Sequence, residues 1–72
     1  MEAENYKGCR IWGHAIAEQK DILRPERYAA SGTITQHNEL VEASGVLGYF
    51  ETEEEAQFAG LQWARAWVDN HL

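Results

Sequence analysis

The side chains that could carry out chemistry are few in this sequence and stand apart from one another. The three histidines, His14, His37 and His71, do not have the spacing of metal ligands, and Cys9 is the only cysteine. A structural zinc site brings together about four such ligands, usually as pairs a few residues apart. We therefore expect no metal site and no cofactor.

No pattern indicates a catalytic nucleophile. Cys9 and His14 are five residues apart in a segment with strand character, so their side chains point to opposite faces. Ser31 and Ser44 lack a nucleophile-elbow motif, and the glycine-containing segments around them lack the lysine of a phosphate-binding loop. The carboxylates of "ETEEEA" stand at a helix start, where capping explains them. The sequence therefore predicts no catalytic residue and a protein that is not an enzyme.

The sequence predicts an antiparallel sheet that positions these residues. Alternating and β-branched segments predict strands near 6–17, 28–36 and 40–50, with the last two joined as a hairpin through "HNE". In the first strand the more core-like face holds Lys7, Cys9, Ile11, Gly13, Ala15 and Ala17. Residues 1–5 are expected to be disordered, and the charged segment 18–27 around Pro25 is expected to form a loop.

The final segment predicts a helix from about 53 to 70. Thr52 and Glu55 match a capping box, in which each side chain bonds to the other residue's amide. One apolar stripe, around Trp63 and Trp67, is expected to pack on the sheet. The fold class is thus α+β, a three- to four-stranded antiparallel sheet covered by one C-terminal helix in the order β-β-β-α, with "GVLGYF" as a bend or a short edge strand and one domain over residues 1–72. The expected core residues are Ile11, Ile34, Leu40, Phe50, Trp63 and Trp67.

A second apolar stripe on this helix has two interpretations. It holds Phe58, Leu61, Arg65, Val68 and Leu72, spaced like a short coiled-coil seam. Both stripes are core if a wide helix lies on a small sheet. Alternatively the second stripe meets another copy of the chain, with Arg65 setting the register against an acid of that copy.

Size and charge narrow the classes of partner. A chain of 72 residues buries a small core, which favours a partner subunit. Its formal net charge of −6 disfavours nucleic acid and anionic membranes, which attract basic proteins. No apolar run approaches the ~20 residues of a membrane span. The lone cysteine and the lack of a basic-then-apolar leader lead us to expect a cytoplasmic protein.

Nucleic-acid binding remains an alternative because of the order of the elements. Strands followed by a helix resemble double-stranded-RNA-binding domains and the arm-binding domains of integrases. The former carry lysines at the start of the final helix, where this chain has glutamates. The latter read DNA with a sheet face, which Arg10, Trp12, His14 and Tyr28 would supply here.

One further resemblance concerns the whole chain. The segments "RYAASGTI", "EASGVLGYF" and "YFETEEEAQFAGLQWARAWVDNHL" resemble small stand-alone proteobacterial proteins of unknown function. The likeness covers most of residues 6–70 and implies a three- or four-stranded antiparallel sheet with one C-terminal helix. It implies no activity. We therefore expect a non-catalytic protein-interaction module that binds a second copy or another protein, with nucleic-acid or small-ligand binding through the sheet face as the alternative.

Overall fold

The computed structural model of the chain describes residues 2–18 and 27–72. Its strands and helix are β1 (Glu2–Tyr6), β2 (Cys9–Glu18), β3 (Arg27–Gln36), β4 (Glu39–Ala43), β5 (Gly48–Phe50) and α1 (Glu53–His71). The strands form one antiparallel sheet and the helix follows it, which confirms the predicted α+β class. No helix in the described ranges has the length and apolarity needed to cross a membrane.

The strands pair in the order β1-β2-β3-β4, and β5 also pairs with β3. β4 lies beside residues 33–36 of β3 and β5 beside residues 28–30, so the two short strands share one edge of the sheet. Two-residue turns, Lys7–Gly8 and His37–Asn38, close the two hairpins. All four turn residues have positive φ, between 50° and 84°, which is the geometry that matches the twist of paired strands.

The sheet has five strands, where the sequence predicts three or four. The sequence predicts disorder for residues 1–5, but Glu2–Tyr6 forms β1, and the predicted strand 6–17 is broken by the Lys7–Gly8 turn. The predicted strand 40–50 is divided into β4 and β5 by residues 44–47, which are neither strand nor helix. The loop predicted around Pro25 lies mostly outside the described residues.

The polar first strand is bonded to the helix by side chains in addition to its backbone pairing with β2. The Arg65 guanidinium donates to both carboxylate oxygens of Glu4, from Nε at 3.2 Å and from Nη2 at 2.6 Å. The Tyr6 hydroxyl and the Lys7 ammonium both donate to Asp69, the latter at 2.6 Å. These bonds connect β1 and the turn that follows it to α1. Arg65 is therefore engaged by Glu4 within the chain.

The core lies between the sheet and one face of α1. It contains Cys9, Ile11, Ile34, Leu61, Ala64 and Val68, with Tyr6, Val41, Trp63 and Trp67 packed at its margin. The face of the helix on the sheet thus lies between the two predicted stripes and takes residues from each. Ile11 and Ile34 are fully buried as predicted, whereas Leu40 is 66% exposed and Phe50 is half-buried. The β-bulge between β3 and β4 puts Val41 in the place predicted for Leu40.

Three glycines let the helix approach the sheet closely. A Cβ on Gly60 would overlap the carbonyl oxygen of Ser31 and lie 2.9 Å from the Cα of Gly13. A Cβ on Gly32 would lie 2.6 Å from the carbonyl oxygen of Gly60. Real Cβ atoms do not approach backbone so closely, so Gly13, Gly32 and Gly60 form the crossing point of helix and sheet.

The start of the helix follows the predicted cap, with one difference. The Glu55 amide donates to the Thr52 hydroxyl oxygen at 3.1 Å, as expected. The Glu55 carboxylate accepts from that same hydroxyl at 3.0 Å rather than from the Thr52 amide. Three glutamates in the first turn, Glu53–Glu55, place negative charge at the positive end of the helix dipole.

Candidate functional site

The sheet face opposite the helix carries the candidate site. Along β2, Arg10, Trp12, His14 and Ile16 alternate with the residues that face α1. Directly paired residues of an antiparallel sheet share a face, so the register extends this surface across β1, β3, β4 and β5. We call it the open face: Ala3, Asn5, Arg10, Trp12, His14, Ile16, Glu18, Arg27, Ala29, Ser31, Thr33, Thr35, Leu40, Ala43 and Tyr49. Among the described elements, α1 is the only helix, and it packs on the other face.

The open face exposes large apolar side chains. Ile16 is 52% exposed, Leu40 66% and Tyr49 48%, and Trp12 is half-buried among them. A solvated face of an antiparallel sheet is ordinarily polar. The open face instead combines these side chains with the short hydroxyls of β3, so it is partly apolar.

The two arginines of the open face have different surroundings. Arg27 lies 3.9 Å above the centre of the Tyr49 ring, and its Nη2 is 4.0 Å from the Glu18 carboxylate. Arg10 lies 5.6 Å from the centre of the Trp12 ring and forms no ion pair with any residue of the described ranges. Within the described ranges, Arg10 is therefore the guanidinium of this face without a carboxylate partner.

His14 stands in the middle of β2 and is neutral at pH 7. Its Nε2 is 3.0 Å from the Thr33 hydroxyl oxygen, on the neighbouring strand. Burial lowers the pKa of His14 below the ordinary histidine value. The imidazole therefore adds a polar but uncharged group to the open face.

Three of the four residues predicted for a sheet-face site come together, and one does not. Arg10, Trp12 and His14 share the open face. Tyr28 pairs with Ala17 and Phe50 and alternates with Ala29, which places it on the helix side of the sheet. The sequence did not place Leu40 and Tyr49 on this face. Their register depends on the β-bulge and on the division of the predicted third strand into β4 and β5.

The predicted helix interface is not a continuous surface. Leu61 is 8% exposed and Val68 is fully buried, both in the core against the sheet. Phe58 and Leu72 are 58% and 64% exposed, but they are 14 residues apart, about 21 Å along a helix. Two isolated apolar side chains at that distance do not make a patch.

The described residues contain no group of three or more metal-binding side chains. Cys9 is 2% exposed and faces the helix, whereas His14 lies on the open face, so the two side chains do not meet. Comparisons with protein-family models, with curated proteins and with solved structures find no significant match to this chain. The resemblance to small proteobacterial proteins therefore stays a prediction.

Proposed function

We propose that this protein is a non-catalytic protein-interaction module that binds its partner through the open face. The observation that carries the proposal is the exposure of Ile16 and Tyr49, which lie on either side of Ala29 on the open face and form an apolar cluster. Leu40 is also exposed on this face but lies opposite Thr35, six residues further along β3. Clustered exposed apolar surface is costly in water and usually marks a binding site. A protein surface of complementary shape would bury it.

The composition of the open face supports a protein partner. Protein interfaces are enriched in aromatic residues and arginine and depleted in lysine and acids. The open face has Trp12, Tyr49, Arg10 and Arg27, no lysine, and Glu18 as its carboxylate. The buried free thiol of Cys9 also supports our proposal of a cytoplasmic protein, because reducing compartments keep such thiols unpaired.

Nucleic-acid or small-ligand binding is the second candidate, favoured by the position of Arg10 beside Trp12. A base could stack on the indole while the guanidinium contacts a phosphate. Several phosphates must be neutralised for measurable affinity, however, and Arg27 is already engaged by Glu18. With a net charge of −6, a protein partner is the better supported proposal.

Site-specific photo-crosslinking tests the proposal. A benzophenone amino acid is placed at Ile16 or Leu40 of the full chain, and at Phe58 as the control, in the cells that produce the protein. Phe58 is a matched control because its exposure, 58%, is close to the 52% of Ile16. We expect protein adducts from positions 16 and 40 and not from 58. Adducts from all three positions, or from none, would overturn the proposal.

A further inference from the structure

We infer that the partner bound by the open face is a second copy of this chain, packed sheet on sheet about a two-fold axis that crosses β2 at His14. This inference rests on the proposed function, because it names the partner of the same surface. A two-fold interface uses the same patch on both copies, so the patch must be complementary to itself. The arrangement of charge along β2 has that property.

Charge selects the direction of the two-fold axis. An axis that brings two sheet faces together lies in the plane between them, either along the strands or across them. An axis along β2 would place Arg10 over Arg10 of the second copy and Glu18 over Glu18. An axis across β2 reverses the second strand, so that Arg10 lies over Glu18 of the second copy, twice in the dimer. Arg10 meets an unlike charge only in the second arrangement, where it lies over the Glu18–Arg27 ion pair of the second copy and shares the Glu18 carboxylate with Arg27.

The residues between these charges match in the same arrangement. Arg10 and Glu18 are each four residues from His14, and Trp12 and Ile16 are each two residues from it. The indole of each copy therefore lies over the half-exposed Ile16 of the other. The two His14 side chains meet at the axis. Since burial lowers the pKa of His14, both are neutral at pH 7 and do not repel.

The available area is sufficient for a weak dimer. The 28 residues of β2–β5, at about 4.8 Å between strands and about 3.3 Å along them, give a face of roughly 450 Å² per copy; β1 lies on one side of the axis and faces no strand of the second copy. The total of roughly 900 Å² is below the range of standard specific interfaces, which predicts a transient dimer with a Kd in the upper micromolar range. Packed sheets cross at about 30°, which offsets the strand ends by about 6 Å. Arginine and glutamate side chains reach across that distance.

The sheet edges are less suited to joining two copies. β1 has five residues, and its Glu4 is already bonded to Arg65. At the opposite edge, the bulge and residues 44–47 interrupt the row of backbone groups that a second chain would pair with. Short and irregular edges of this kind resist strand addition. The open face is therefore the better surface for a second copy.

A charge exchange tests the arrangement. Sedimentation equilibrium of the purified full chain, from about 5 to 500 µM, should show a reversible monomer–dimer equilibrium with a micromolar Kd. Arg10→Glu and Glu18→Arg should each weaken the dimer by about tenfold or more, because each creates a like-charge pair. The double variant should bind itself at least about threefold more tightly than either single variant, because the pair between copies is restored in reverse, although Arg27 then lies beside an arginine in place of Glu18. Phe58→Gln, on the helix, should leave the Kd unchanged.

Two further measurements keep the result interpretable. Circular dichroism checks that each variant folds. A charge-reversal variant that does not fold is replaced by the milder Arg10→Gln or Glu18→Gln. Each of these glutamine variants should weaken the dimer less than the charge reversal would. A monomer at all concentrations, or a double variant no tighter than the single ones, would overturn the inference. If the purified chain stays monomeric while positions 16 and 40 crosslink to a different protein, the proposed function stands and the second copy is excluded. If neither is observed, both proposals fail.

Discussion

Replacing Gly60 by alanine separates two physical effects that oppose each other. Glycine in a helix interior costs roughly 1 kcal/mol relative to alanine, so the substitution should stabilise an isolated helix by about that amount. In the folded chain the new methyl group would overlap the Ser31 carbonyl oxygen and lie 2.9 Å from the Cα of Gly13. The sign of the change in stability therefore shows which effect is larger.

The tertiary effect should be the larger one. Both atoms that the methyl group meets belong to backbone held in the β2–β3 ladder, so no rotamer change relieves the contact. Overpacking of this kind costs typically 1–3 kcal/mol and more when backbone must move. After the gain in helix propensity, we expect a net loss of about 1–3 kcal/mol. For a domain of this size that lowers the Tm by roughly 5–20 °C.

Urea and thermal unfolding, followed by circular dichroism and tryptophan fluorescence, measure this loss. Gly48→Ala is the matched control, because its new Cβ would have only an ordinary contact, 3.8 Å from the Phe50 ring. Ala66→Gly, at an exposed helix position, calibrates propensity alone and should cost about 1 kcal/mol. A Gly60→Ala chain more stable than the parent by about 1 kcal/mol would refute the close crossing of helix and sheet.

The remaining predictions concern the contacts of α1. A double-mutant cycle of Glu4→Gln and Arg65→Gln, read by urea unfolding, should give a coupling energy of about 0.5–1 kcal/mol; zero coupling would mean that backbone pairing alone orders β1. Hydrogen bonds from its lysine and tyrosine partners lower the pKa of Asp69 below its ordinary 3.8. The contribution of Asp69 to the free energy of unfolding is therefore fully present above pH 3.8, the ordinary pKa of this side chain. It is lost as the pH falls through the lower pKa that Asp69 has in the folded chain. Asp69→Asn should remove this dependence from unfolding curves recorded across acidic pH, and an unchanged dependence would contradict the assignment. Leu61→Ala should cost about 2–5 kcal/mol and Phe58→Ala less than about 0.5 kcal/mol, and equal losses would show that the core is misplaced.

The parts of the fold that depend on local interactions could be predicted from the sequence. The cap at Thr52 and the helix after it follow from hydrogen bonds within one turn, and the second hairpin follows from an alternating pattern around a polar turn. β1 could not be predicted in this way. It pairs with β2 over five residues and also bonds to Arg65 and Asp69, about 60 residues further along the chain, so its contacts are not local.

The candidate site was predicted in part, for the same reason. Arg10, Trp12 and His14 share a face because strand alternation is a local property, and that much was visible in the sequence. The places of Leu40 and Tyr49 depend on register, which a single bulge changes.

Composition and periodicity by themselves determined an acidic α+β chain with a capped final helix and a strand presenting an aromatic and basic face. Only the tertiary structure decided which stripe of that helix meets the sheet, and hence which apolar side chains stay in water. The physical reason is that three glycines distant in sequence allow the closest approach of backbones at one point. That contact fixes the rotation of the helix, which no property of the helical segment alone determines.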